Sequence, residues 1–236
     1  MEYRTKWIIS GNHIEVYKND VGIKIGKRKY KKKRKIKTGK DEVVVKKPEK
    51  LSEFAVYRCR RKIKWLINSN PDMNKFLTLT FAENVTDLQL CNEKFKAYIR
   101  KLKILYPNFK YLVVPEFQKR GAVHYHIVLN IDYTHHHVLE DLWGHGFIKI
   151  KRLKKKTNIG LYMSKYIGKN LDDTRYINNK KYFTSRNLEK PMIFYSRDKN
   201  VNFLNLNKLE PVCIKPFNSY HGLIKYMLYV LDKDKK

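Results

Sequence analysis

The chain has 236 residues, with 52 Lys and Arg against 22 Asp and Glu and a formal net charge of +30 at pH 7. A chain of this length can bury a sizeable core without disulfides or a structural metal, so one catalytic core is expected. The charge is far beyond what solubility needs and points to a polyanionic partner, nucleic acid first. No segment reaches the roughly 18 apolar residues of a membrane span, and no terminal stretch reads as a signal peptide. The expectation is a soluble protein of the host cytoplasm with no membrane partner. Cys59, Cys91 and Cys213 are widely spaced and odd in number, which indicates neither a disulfide framework nor a CxxC zinc site.

Residues 1–50 read as a basic N-terminal extension: alternating stretches at Trp7–Ile9 and Ile14–Tyr17 run into the charged block Lys27–Lys37. Such a block is a solvated arm that can grip phosphates without sequence preference. Residues 51–191 read as the catalytic domain, opening with a basic helix at 51–69 in which Leu51, Val56, Ile63 and Leu66 fall at helical spacing before Pro71. Phe76–Phe81 alternates as a strand, and Thr86 or Asp87 can cap a long helix with Leu90, Cys91, Phe95, Tyr98, Ile99 and Leu102 apolar. Tyr111–Phe117 and Ala122–Ile131, joined by a turn at Gln118–Gly121, form a hairpin. A short helix from Thr134 to Trp143 and Gly144, a strand at Gly146–Leu153 and a helix at Thr157–Leu171 follow. This order predicts an α+β fold of the split βαβ, ferredoxin-like type: a central antiparallel sheet with helices on one face and the other face free for a site. Ser185–Tyr195 resembles a basic loop and strand. Residues 192–236, aromatic and apolar with little periodicity, are read as a C-terminal extension of the same domain without an assigned role.

The sharpest chemical feature is His124-Tyr125-His126 in a central strand. Alternation sends both imidazoles to one face, although two satisfied histidines beside a polar patch would look the same. Glu116 lies on the partner strand just before the turn, and hairpin geometry can bring its carboxylate across from them. A His-His-Glu set of this kind suits Mn²⁺ or Mg²⁺ better than structural zinc. Further on, Tyr162-x-x-Lys165 overlaps Tyr166-x-x-Lys169, so both hydroxyls and at least one ammonium can share a helix face. A phenol with its free pKa near about 10 attacks a phosphodiester only beside positive charge that polarises the phosphate. A plain amphipathic helix with core aromatics would carry the same spacing. Three consecutive histidines at His135–His137 point in different directions and are read as solvent-facing or packing residues, and His145 as a loop residue. Thr78 and Thr80 can border the site.

Taken together, "FLTLTF", "EFQKRGAVHYHIVL" and "YMSKYIGK", in that order on a very basic chain, resemble the motifs of the HUH endonuclease superfamily, and within it the rolling-circle replication initiators of small phages and bacterial plasmids. "LWGHGFIKI" and "SRNLEKP" resemble the same group, so the likeness spans roughly residues 75–191. It implies a divalent metal on His124, His126 and Glu116, and a tyrosine that cuts one DNA strand and keeps the 5′ phosphate as a phosphotyrosine ester. Paired Tyr162 and Tyr166 resemble phage-type initiators in which both can alternate. The motif and its charge assign Lys165 and Lys169 to orienting the scissile phosphate or supporting the metal site.

The expected partners are single-stranded or hairpin origin DNA and, because no G-x-x-x-x-G-K-[ST] motif is present, a host helicase and polymerase. The same chemistry would serve a transposase or relaxase, which origin-dependent plasmid maintenance separates from an initiator. A non-catalytic basic nucleic-acid-binding protein is the rival from another class, and it predicts salt-sensitive binding without metal dependence or covalent adducts.

Overall fold

The computed structural model describes residues 2–25, 53–153, 159–160, 162–163, 180–199, 206, 209–220 and 222–231. In chain order the elements are β1 (Glu2–Ser10), β2 (His13–Lys24), α1 (Glu53–Asn68), β3 (Lys75–Thr80), α2 (Leu88–Leu105), β4 (Tyr111–Phe117) and β5 (Val123–Leu129). They continue with α3 (His136–Trp143), β6 (Ile148–Arg152), β7 (Phe183–Thr184), β8 (Met192–Ser196), β9 (Cys213–Ser219) and β10 (Gly222–Val230). These form two compact units, one within residues 49–191 and one drawn from the residues before and after it.

The central unit is built on an antiparallel sheet in the order β6-β3-β5-β4-β7. Its β3-α2-β4-β5-α3-β6 path is the expected split βαβ arrangement, with each crossover helix returning the chain past an intervening strand. Alternation sorts the side chains. Leu77, Leu79, Val113, Tyr125, Ile127 and Leu129 face the helices, where Cys91, Phe95, Tyr98, Ile99 and Leu102 of α2 and Leu139 and Trp143 of α3 complete one core. The Asp87 carboxylate starts α2 by accepting from the backbone N–H groups of Gln89 (2.8 Å) and Leu90 (3.3 Å), which would otherwise be orphaned. Gly144, at φ +62°, ends α3, and its N–H donates to the Glu140 carbonyl at 2.8 Å. Gly146 lies at φ +141° so close to β3 that a Cβ there would come within 2.3 Å of the Ala82 nitrogen.

The second face is less open than expected. Phe76, Leu112, Val114 and Val128 point to it, and Val56, Ile63 and Ile67 of α1 pack over them with Met73, Met163 and Leu188. The reason lies in the strands: their residues at this end are apolar on both sides, so one layer of helices cannot keep them from water. Only the other end of this face, toward His124 and Glu116, is polar.

The terminal unit is a second antiparallel sheet, in the order β8-β1-β2-β10-β9. Trp7, Ile14, Val16, Leu206, Met227 and Tyr229 form its buried cluster. Residues at both ends of the sequence, expected to be extensions of the central domain, therefore share a sheet of their own. The hidden signal has a physical cause. In β10 (GLIKYMLYV) apolar residues occur at nearly every position, which erases alternation, and β9 carries Pro216, which is tolerated because β9 is the edge strand. The charged block Lys27–Lys37 lies outside the described residues.

Replacing Asp87 by Ala should lower the unfolding free energy by about 1 kcal/mol, as loss of a helix N-cap usually does. Gly146→Ala should cost more than that, because it meets backbone atoms and a φ that a Cβ disfavours. Urea titration of both variants against the parent chain checks the order as well as the size of the two effects.

Candidate functional site

The polar end of the second face is made of paired rungs. Register places Thr80, His124 and Glu116 side by side across β3, β5 and β4, and Thr78, His126 and Val114 in the next rung. Phe76, Val128 and Leu112 form the third rung and belong to the core under α1. Polarity thus changes along the strands, from carboxylate and imidazole to hydrocarbon, over three rungs. On the far side of β3, Lys149 stands opposite Thr78 and Lys151 opposite Phe76, so two exposed ammonium groups flank the same surface.

His126 is 7 % exposed and held from both ring nitrogens: Nε2 is hydrogen-bonded to the Glu116 carboxylate, and Nδ1 lies 3.4 Å from the Thr78 hydroxyl. The imidazole also stacks on Phe76, with centroids 5.8 Å apart and planes at 21°. His124 is different. Its Nε2 is buried and has no hydrogen-bond partner, and the ring centroid is 6.3 Å from that of His126. Burial pushes the His124 pKa down to about 4, with His126 and Arg120 adding to the effect and Glu116 opposing it, so the ring is neutral near pH 7. Neutral imidazole is the form that binds a cation. The three expected ligands therefore share one face and two rungs. They do not surround one point, because Glu116 turns diagonally to His126, and among the described residues no group of three His, Cys, Asp or Glu is arranged to hold a metal ion.

Beside His124 a hollow of about 470 Å³ is lined by Glu116, Gln118, Lys119, Arg120 and His124. Arg120 is steadied there: its Nε donates to the Gln118 side-chain oxygen (2.9 Å) and its Nη2 to the Phe81 carbonyl (3.4 Å). A guanidinium fixed at a tight turn next to a carboxylate and an imidazole is a ready partner for a phosphate oxygen.

Of the two expected nucleophiles, Tyr162 is described. It is half-buried, helical, and meets the Phe76 ring edge-on at 5.2 Å, while the Lys151 Nζ lies 5.4 Å from its ring centroid and 5.3 Å from that of Phe76. Phe76 thus touches His126 on one side and Tyr162 on the other, and joins two motifs that lie far apart in sequence. Lys165, Tyr166 and Lys169 lie outside the described residues. Of the three consecutive histidines, His136 approaches the Ile148 carbonyl (3.1 Å) and Glu140 (3.6 Å), and His135 and His137 stack on each other at 5.5 Å; all three are exposed. His145 packs against Phe81 and Trp143. Lys149, Lys151 and Phe76 were missed as site residues, although the alternation of "IKIK" in β6 already places both lysines on the face of Thr78.

A mixed α+β unit with paired histidines, a carboxylate and a tyrosine on one sheet face, flanked by cations, has the features of a nucleic-acid-processing protein. Residues 74–171 match the family model of the replication-associated protein ORF2, a span that begins at β3 and includes both tyrosine motifs. The match covers less than half of the chain and is consistent with a replication initiator. No curated protein and no solved structure matches the chain. Among the described residues, no helix is long and apolar enough to cross a membrane.

Phe76→Ala should lower the unfolding free energy by about 3 kcal/mol or more, the usual loss for a buried aromatic. Phe76→Leu should cost clearly less. Denaturant titration of both variants tests whether Phe76 is the packed spacer between His126 and Tyr162.

Proposed function

We propose that this chain initiates rolling-circle replication by nicking and rejoining one DNA strand at a specific site, with a divalent cation and a tyrosine nucleophile, in the manner of HUH endonucleases. The observation that carries this reading is the joining of Tyr162 to the His126–Glu116 pair through Phe76, on a lysine-flanked sheet face within the span that matches replication-associated proteins.

The donor set fits a hard divalent cation. The buried His124 Nε2 has no hydrogen-bond partner, Glu116 stands opposite it in the sheet, and His126 already touches that carboxylate. His124, His126 and Glu116 would hold Mn²⁺ or Mg²⁺, which would polarise the scissile phosphate. Tyr162 or Tyr166 then attacks phosphorus through its phenolic oxygen. A tyrosine O–P bond forms, the P–O3′ bond breaks, the phenol loses its proton and the 3′ oxygen gains one. The 5′ phosphate stays on the enzyme, and the 3′ hydroxyl serves a host polymerase while a host helicase opens the duplex. Joining is the reverse, with a 3′ hydroxyl displacing the tyrosine. Lys149, Lys151 and Arg120 neutralise the incoming backbone, and Lys165 and Lys169 orient the scissile phosphate.

With labelled single-stranded or hairpin DNA carrying candidate origins and Mn²⁺, a denaturing gel should show a protein-DNA adduct that the Tyr162→Phe, Tyr166→Phe double variant loses. Tight, salt-sensitive binding with no adduct on any sequence would leave a non-catalytic binding protein instead. Independently of activity, Mn²⁺ titration followed by electron paramagnetic resonance should show affinity reduced at least about tenfold by His124→Ala and by Glu116→Ala. Unchanged affinity in both would overturn the ligand assignment.

A further inference from the structure

A second concavity, larger than the one beside His124, lies at the opposite end of β4 within the central unit. Its volume is about 840 Å³, inside the roughly 300–1,000 Å³ of ordinary ligand pockets. β7 pairs with β4 through Thr184 and Leu112, four residues before Glu116, which is about 13 Å along a strand at ~3.3 Å per residue. The pocket therefore lies away from the histidines, at the sheet edge that β7 closes.

Its walls combine two chemistries. Lys96 and Arg100 of α2 stand on one side, and Lys180, Lys181 and Arg186 on the other, with no carboxylate among the described lining residues. Five cations gathered around one hollow repel one another, and a polyanion relieves that repulsion. Burial lowers the Lys181 pKa, a penalty that a phosphate in the pocket would offset. Between the cations lie half-buried rings: Tyr111, Tyr182 and Phe183 line the cavity, with buried Phe95 beneath, 6.4 Å from Tyr111 and 6.3 Å from Phe183. Tyr182 packs with the core on the histidine face and Phe183 with the core on the helix face, so the ring-bearing segment wraps around the sheet edge. Cations that follow a backbone, interleaved with aromatic faces on which bases stack, are what a single strand of nucleic acid needs. Duplex DNA keeps its bases stacked inward and could use only the cations.

We propose that this pocket is a second, non-catalytic site for single-stranded DNA, in which Lys96, Arg100, Lys180, Lys181 and Arg186 hold phosphates and Tyr111, Tyr182 and Phe183 stack bases. The ligand class follows from the pocket's own chemistry. Its use in holding the origin strand beyond the nick rests on the initiator reading.

The test uses the full chain and a fluorescent oligothymidylate without divalent metal, with affinity read by anisotropy across a salt series. Lys96 and Arg100 are exposed on α2, so their double alanine variant keeps the fold. A double alanine variant at exposed Lys215 and Lys225 of the terminal unit loses the same charge and serves as the control. The pocket variant should flatten the slope of log affinity against log salt by about 0.7 per lost phosphate contact, and the control should not. Tyr182→Ala should weaken binding about fivefold or more with the slope unchanged. Photocrosslinking of a bromodeoxyuridine-substituted oligonucleotide should map to Tyr111, Tyr182 or Phe183. Equal losses in the pocket and control variants, or crosslinks confined to other segments, would overturn the proposal. The adduct assay keeps the two readings apart: a pocket that binds without any adduct removes the initiator and leaves the pocket, and an adduct with no pocket effect does the reverse.

Discussion

The register of β5 between β3 and β4 is the constraint on which the central unit depends. Tyr125 faces the helices, fully buried, stacked on Phe95 at 4.7 Å and donating its hydroxyl to the Asn92 side-chain oxygen at 2.8 Å. That anchoring leaves His124 and His126 no choice of side. A slip of one residue would send both imidazoles into the hydrocarbon under α2 and put Tyr125 where Glu116 now meets His126. The large free-energy cost of burying an imidazole among Leu, Phe and Ile side chains fixes the geometry of the polar face more firmly than any interaction within that face.

The polar face is in turn graded. Hydrocarbon under α1 gives way to Phe76 and His126, then to His124 and Glu116, then to the hollow at Arg120. Such a gradient keeps the chemically active groups partly dry at one end and open to a large charged ligand at the other. Electrostatic interactions strengthen as water is excluded, so the same charges act more strongly on a phosphate that has entered than on one still in solution. The excess of cations over the chain supplies long-range attraction, whereas the few that are fixed by hydrogen bonds, as Arg120 is, supply position.

Much of this was legible in the residues. The alternation of Phe76–Phe81 and of Val123–Leu129, the Asp87 cap and the Gln118–Gly121 turn carried the strand order of the central unit, because each is a local signal with one structural solution. The common face of Glu116, His124 and His126 followed from the same parity. Three things were not legible. The cover that α1 provides depends on strands being apolar on both sides, which a local reading cannot distinguish from a single buried face. The diagonal turn of Glu116 toward His126 is a choice between two neighbours about equally reachable from its backbone. The second sheet pairs β1 with β8 and β2 with β10, across separations of nearly the whole chain, and no local pattern encodes such a partner.

That second sheet has a consequence for how the protein is made. β1 and β2 leave the ribosome first and can pair as a hairpin, but β8 and β10, which flank them, follow only after the entire central unit has been synthesised. A two-stranded hairpin is at best marginally stable alone. The nascent chain must therefore carry an unfinished pair of edges, with Trp7, Ile14 and Val16 uncovered, while β3 to β7 collapse into their own core. Translation ends with the C-terminal strands closing around the N-terminal ones, so the last step of maturation unites the oldest and the youngest parts of the polypeptide. Chains interrupted before that step would hold a formed central unit beside a sticky, incomplete sheet, which is the kind of species that chaperones and proteases recognise.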